Sequence, residues 1–280
     1  MRADPLKRGL GPHLSLNGVQ GFVFDVDGTL VHRGPDGRGR PQPGAPEVLE
    51  RIRASGRPLV LFTNGSHVSS ERIARGLQED GLPIGEREVL TPVESAITYL
   101  RRYHRDRPVL MFVTEAIRER LQRAGIPAAR GEEAGAVFVA HIDQTDFDEM
   151  ERAARAVRRG APLLAGSYVP GYAGANGIIF SRGAMVTAAI AKVSGARPKV
   201  LGKPSRAAVA ELRARLGLPT ERLAVIGDDL GMDIRLGQMG GSRTVLVRSG
   251  ISGQVELHRI PERRRPDAVI DGVAELLEWL

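Results

Sequence analysis

Five short apolar runs punctuate the chain: GFVFDVD (21–27), PLVLFTN (58–64), GAVFVAH (135–141), RLAVIGD (222–228) and RTVLVRS (243–249). Each is rich in β-branched or aromatic residues and bounded by turn formers. Continuous rather than alternating hydrophobicity is what a parallel strand buried on both faces requires. Between the runs lie helical patterns, APEVLERIRASG, SSERIARGLQEDG, FDEMERAARAVRRG and SRAAVAELRARLG. Several of these close on a Gly suited to a helix C-cap. The alternation predicts an α/β fold on a doubly wound parallel sheet. Right-handed crossovers would bring the strand C-termini to one edge, where ligands bind in such sheets.

The spacing along the chain is uneven. Asp25 and Thr63 are one crossover apart, and Lys203 and Asp228 are about one helix apart. The interval from Thr63 to Lys203 is too long for a loop and carries strand-helix patterns of its own, RPVLMFVTEAIRERLQRAG and GAVFVAHIDQTDF. A core of residues 1–84 and 186–280, with a smaller α/β domain inserted at 85–185, is therefore expected. An inserted lid of this kind excludes water during chemistry.

Composition removes some functions and leaves others. The chain has 280 residues, enough for a sizeable core, and no cysteine. Disulfides, thiolate zinc sites and cysteine nucleophiles are thus excluded. No stretch approaches the roughly 20 apolar residues of a membrane span. Residues 1–18 lack the apolar segment and cleavage site of a signal peptide, so a cytoplasmic location is the default expectation. The net charge of +7 comes almost wholly from Arg, since only Lys7, Lys192, Lys199 and Lys203 are Lys. The arginines are interspersed with acids along helical patterns and lack interleaved aromatics. They read as solvated faces with a mild attraction for anionic substrates, not as a nucleic-acid surface.

The strand ends carry the candidate chemistry. Asp25 and Asp27 stand two apart at the end of the first run, where two carboxylates repel unless a divalent cation offsets them. The bland alternative is a turn at Asp27-Gly28-Thr29. FTNGS places Thr63, Asn64 and Gly65 before a helix, an arrangement suited to phosphate oxygens. Helix capping by Asn64, Ser66 or Ser69 is the alternative there. Lys203, in LGKPS, is a compact charge suited to phosphate, or else an exposed loop lysine. In VIGDDLGMDI, Asp228 would complete a cation site with Asp25 and Asp27, and Asp233 would orient Lys203 or a metal-bound water, with Asp229 beside them. N-capping by Asp228 or Asp229 competes with that reading.

The order FVFDVDGTL, LFTNGS, LGKP, VIGDDLGMDI resembles the haloacid dehalogenase (HAD) superfamily of phosphohydrolases. The large insertion between the second and third motifs is similar to the C2-capped, NagD-like and p-nitrophenylphosphatase-like subclass. The segment IIFSRGAMVTAAIAKVSGARPKVLGKPS, read as a helix leading back to the core, matches it too.

The resemblance implies a HAD-like (Rossmannoid) core with an inserted cap, and hydrolysis of a small-molecule phosphate monoester with Mg²⁺. The substrate would be of the sugar phosphate, phosphoglycolate or nucleotide class. Asp25 would be nucleophile and metal ligand. Asp27 would be general acid/base, with its backbone carbonyl on the metal. Thr63, Asn64 and Gly65 would bind phosphate, and Lys203 would neutralise the aspartyl-phosphate. Asp228 would be a further metal ligand, with Asp229 and Asp233 in support. No nucleic-acid or membrane partner is implied, and a homodimer through the cap is compatible with this reading.

Three features depart from the family pattern. Ala165-Gly166-Ser167-Tyr168-Val169 replaces an Asn-Pro-Asp-type sequence, Met232 replaces a Thr, and Gly65 replaces an Asn or Ser. The altered cap sequence motivates the competing reading, a non-catalytic metabolite-binding or regulatory protein on the same scaffold. The Gly/Pro-rich, basic segment VHRGPDGRGRPQPG reads as a flap or a solvated loop, where Arg33, Arg38 and Arg40 would meet an anionic leaving group.

Overall fold

A computed structural model describes residues 16–34, 38–174 and 177–280. The expectation about a signal peptide falls almost wholly on residues outside these. In chain order the elements are β1 (Gly21–Phe24), β2 (Val31–Arg33), β3 (Gly39–Pro41), α1 (Ala45–Ala54), β4 (Leu59–Phe62), α2 (Ser70–Glu79) and β5 (Val89–Leu90). Next come α3 (Pro92–Tyr103), β6 (Val109–Phe112), α4 (Glu115–Arg123), β7 (Ala136–Val139), α5 (Phe147–Arg158) and β8 (Leu163–Ala165). These are followed by β9 (Gly171–Gly174), β10 (Gly177–Phe180), α6 (Arg182–Ser194), β11 (Lys199–Val200) and α7 (Arg206–Leu216). The chain ends with β12 (Leu223–Gly227), α8 (Arg235–Gly240), β13 (Arg243–Val247) and β14 (Ala268–Ile270).

The chain divides into two compact units. One comprises residues up to Phe62 with Ala74–Val89 and Leu212–Leu280; the other comprises Thr63–Ile73 and Leu90–Glu211. The first is built on a six-stranded sheet in the order β14-β13-β12-β1-β4-β5. Strand β1 pairs in parallel with both β12 and β4, and β12 with β13. Every residue of β1, β4 and β12 is buried, which is why these runs are apolar without alternation. Helix α1 buries Ala45, Val48, Leu49 and Ile52, the stripe that a 3.6-residue period produces.

The second unit has its own parallel four-stranded sheet, β11-β8-β7-β6. Successive residues of β6 enter different cores. Val109 and Met111 pack with Ile97, Leu100, Ile117 and Leu121 of α3 and α4. Leu110 and Phe112 pack with Ala153, Val157, Val186 and Ile190 of α5 and α6. Both faces of this sheet are therefore covered by helices. The helix starts are capped in the expected way: Asp146 accepts the Glu149 N–H at 2.6 Å, and Ser181 accepts the Ala184 N–H at 3.1 Å.

The basic segment after the first motif departs from a loop. Its ends pair as antiparallel strands β2 and β3, with Val31 opposite Pro41 and His32 opposite Arg40, and its residues 35–37 lie outside those described. Among the described residues no helix is long and apolar enough to cross a membrane.

Candidate active site

In the first unit, the registers of the central strands decide which side chains meet. Phe24 of β1 lies opposite Ile226 of β12, and the Asp25 N–H donates to the Ile226 carbonyl at 2.9 Å. The next residues of two parallel neighbours must emerge on the same sheet edge. Asp25 and Asp228 do so, and Asp233 joins them. One carboxylate oxygen from each of these three residues lies within 4.8 Å of the other two. Asp228 is 2% exposed and Asp233 1%, while Asp25 is half-buried. Three like charges this close, two of them out of water, repel strongly, and a divalent cation with oxygen preference offsets that repulsion. The all-carboxylate donor set fits a hard cation such as Mg²⁺ or Mn²⁺.

The neighbours of this cluster take up the competing roles. Asp229 accepts the N–H groups of Gly231 (2.7 Å) and Met232 (3.1 Å), so the helix-capping role falls to Asp229 and not to Asp228. Asp233 accepts the Asp229 N–H at 3.1 Å through one carboxylate oxygen. Asp27 is not in the carboxylate group. Its exposed side chain accepts a charge-assisted hydrogen bond from Arg33 Nε at 2.6 Å. The Gly28 N–H donates to the Val31 carbonyl at 2.7 Å, closing the turn into β2. Gly28 has φ +87°, a conformation that disfavours any side chain, so this glycine is needed for the first motif to turn.

One contributor has no counterpart in the motif reading. The segment Ser249–Ser252, which follows β13, reaches back to the cluster. The Ile251 N–H donates to Asp228 Oδ2 at 2.7 Å, and the Ser249 hydroxyl donates to the Gly28 carbonyl at 2.6 Å. The sequence marks the apolar run 243–249 that ends at this edge, but not that the residues after it reach back to Asp228.

In the second unit, the remaining predicted residues are fixed to one another. The Asn64 side chain bridges the backbone of Lys203, accepting its N–H and donating to its carbonyl, both at 2.8 Å. The Gly65 N–H donates to Thr63 Oγ1 at 3.0 Å. Lys203 is 4% exposed, which disposes of the exposed-loop alternative. The caps in this region belong to Ser69, which accepts the Arg72 N–H at 3.4 Å, and to Ser205, which accepts the Ala208 N–H at 3.0 Å. The altered sequence at Gly166 also meets this segment, since the Gly202 N–H donates to the Gly166 carbonyl at 2.9 Å.

Comparison with known proteins agrees with this layout. The model of the family described as "Haloacid dehalogenase-like hydrolase" matches residues 22–127, and a second HAD-hydrolase-like model matches 200–276. The chain is 30% identical over 262 residues to the ribonucleotide monophosphatase NagD of Escherichia coli K12, covering 92% of this chain and 98% of that one. It is 25% identical to phosphoglycolate phosphatase 1A of Arabidopsis thaliana, over 94% of this chain and 77% of that one. Among solved structures it is similar to the p-nitrophenyl phosphatase from Archaeoglobus fulgidus, with TM-score 0.82, 27% identity, and coverage of 93% and 99%. Motif order, fold, carboxylate cluster and similarity along nearly the whole length converge: the chain belongs to the haloacid dehalogenase-like hydrolases, and within them to the NagD-like phosphatases.

Proposed function

We propose that this chain hydrolyses a small phosphate monoester with Mg²⁺ through an aspartyl-phosphate on Asp25. The observation that carries the reading is the meeting of Asp25 with Asp228 and Asp233 at one sheet edge. A Mg²⁺ ion held by these carboxylates would supply charge neutralisation for the phosphoryl oxygens. Asp25, half-buried beside two buried carboxylates, attacks phosphorus in line as the bond to the leaving oxygen breaks. Asp27 gives its proton to that oxygen, so an alcohol departs. Asp27 then takes a proton from the water that attacks the acyl phosphate, which releases phosphate and restores the Asp25 carboxylate. Asp27 suits this part because its carboxylate is exposed and outside the cation cluster.

Thr63, Gly65 and Lys203, with Asn64 through its backbone rather than its side chain, take the phosphoryl oxygens and the charge of the intermediate, a role supported by their place in the motif order. Within their own unit, the Asn64 bridge fixes the Lys203 backbone and so reduces the ordering left to be done when substrate binds. Residues 85–185 are read as the cap, and 1–84 with 186–280 as the core. The substrate is a small phosphorylated metabolite, and the relatives named above act on a ribonucleotide monophosphate and on phosphoglycolate.

Asp25→Asn is the decisive variant. It preserves shape and removes the nucleophile, so phosphate release from p-nitrophenyl phosphate should fall by about a thousandfold or more. Retained turnover would exclude Asp25 as nucleophile. A panel of nucleotide, sugar and glycolate phosphates at fixed Mg²⁺, ranked by kcat/KM, assigns the class. Tight binding without turnover across that panel would favour the non-catalytic alternative.

A further inference from the structure

We propose that the loop Ser249–Ser252 is a positioning arm of the cation site, holding Asp228 in its ligating orientation. This deepens the reading above and rests on it. Asp228 is gripped from this loop at two points. Its Oδ2 accepts the Ile251 N–H at 2.7 Å, and its backbone carbonyl accepts the Ser252 N–H at 3.0 Å. Ser252 Oγ also accepts the Leu230 N–H at 3.1 Å, which ties the loop to the turn after Asp228. On the other side, the Ser249 hydroxyl donates to the Gly28 carbonyl at 2.6 Å, fastening the same loop to the turn that follows Asp25 and Asp27.

Two glycines from different loops close on one carboxylate oxygen. A Cβ added at Gly28 would come within 2.5 Å of Asp228 Oδ2, and one added at Gly250 would overlap that atom outright. Such a Cβ at Gly28 would also lie 3.2 Å from Gly250 Cα, so the two backbones are nearly in contact.

The consequence is orientational. A carboxylate that is 2% exposed must find donors within the protein, and the Ile251 N–H is one of them. With Oδ2 committed to the Ile251 N–H and packed against the Gly28 and Gly250 backbones, the Asp228 carboxylate is oriented before any cation arrives. Partners that orient a metal ligand typically contribute about 10–100-fold in metal affinity. Gly250 and Ser249 therefore act as positioning residues for Asp228. They come from a strand that carries none of the four sequence motifs.

The test is Mn²⁺ binding to the whole protein, followed by the EPR signal of free Mn²⁺, with Mg²⁺ activation of phosphatase activity measured in parallel. Gly250→Ala should weaken Mn²⁺ binding by about tenfold or more. Its Mg²⁺ activation constant should rise by a similar factor, and kcat at saturating Mg²⁺ should fall less. Ser249→Ala, which removes a hydroxyl and adds no bulk, should shift both constants in the same direction by about threefold. Circular dichroism reports whether each variant folds, and if Gly250→Ala does not, Ser249→Ala decides alone. Folded variants that bind Mn²⁺ as tightly as wild type would overturn the role of the loop and leave the proposed function intact. A wild-type protein that binds no Mn²⁺ and releases no phosphate would overturn both.

Discussion

Asn64 shows how much one side chain settles. From sequence alone it reads as a helix cap or a phosphate ligand. The structure spends its amide on the backbone of Lys203, with two hydrogen bonds of 2.8 Å across 139 residues of chain. Lys203 is buried, so its N–H and C=O cannot easily turn to water. Asn64→Ala should cost about 1–3 kcal/mol, because it leaves buried backbone groups without this partner. Urea unfolding measures that cost. The same variant should lower kcat more than Asn64→Asp, which retains an acceptor for the Lys203 N–H. Equal stability of Asn64→Ala and wild type would mean that another group fixes Lys203. Asp27 and Arg33 make the opposite case. Their bond is short, but both side chains are about half exposed, so it contributes little to stability.

Among elements, the long apolar strands were legible and the short polar pairings were not. β1, β4, β7, β12 and β13 fall inside the five apolar runs because burial on both faces writes itself as continuous hydrophobicity. The hairpin β2-β3 reads VHR and GRP, three residues a side with one buried at the start of each, and gives no period to detect. Helix α3 was also missed, since PVESAITYLRRY mixes β-branched residues into its first two turns. Its start was nevertheless written in the chain. Thr91 and Glu94 form a capping box, with the Thr91 N–H donating to Glu94 at 3.1 Å. Glu94 is 4% exposed and also accepts the Ser70 hydroxyl at 3.0 Å and the Thr91 hydroxyl at 2.6 Å. It thus joins the start of α3 to the segment that follows Asn64. Glu94→Ala should destabilise the protein by about 2–4 kcal/mol by orphaning several buried donors at once. Glu94→Gln, which keeps one acceptor oxygen, should cost less. Thermal unfolding of the two variants ranks them, and an equal or reversed order would show that the buried carboxylate is not what holds this junction.

At the scale of the molecule, two of the sequence motifs supply the clustered carboxylates and tertiary packing adds the loop that grips Asp228. Asp25 and Asp228 were legible as one site because strand ends of one parallel sheet share an edge, whereas Asp233, read only as a supporting residue, joins their carboxylates from the turn that follows β12. The Ser249–Ser252 loop was not legible, because its grip on Asp228 depends on a contact across 23 residues that no local pattern encodes. The carboxylate cluster also makes a global prediction. Without a cation, three close carboxylates work against the folded state. A cation that binds only the folded protein raises stability by RT ln(1 + [L]/Kd), about 2.7 kcal/mol at a hundred times Kd. Mg²⁺ should therefore raise the calorimetric unfolding temperature of the wild type, and chelation should reverse the rise. Asp228→Asn keeps an oxygen to accept the Ile251 N–H but removes one charge from the cluster. Without Mg²⁺ this variant should be at least as stable as the wild type, since repulsion is relieved. With Mg²⁺ it should be the less stable of the two, since a ligand is lost. The order of the two unfolding temperatures should thus invert when the metal is added. A variant less stable by the same margin with and without Mg²⁺ would show that Asp228 serves packing alone and is not a ligand of the ion.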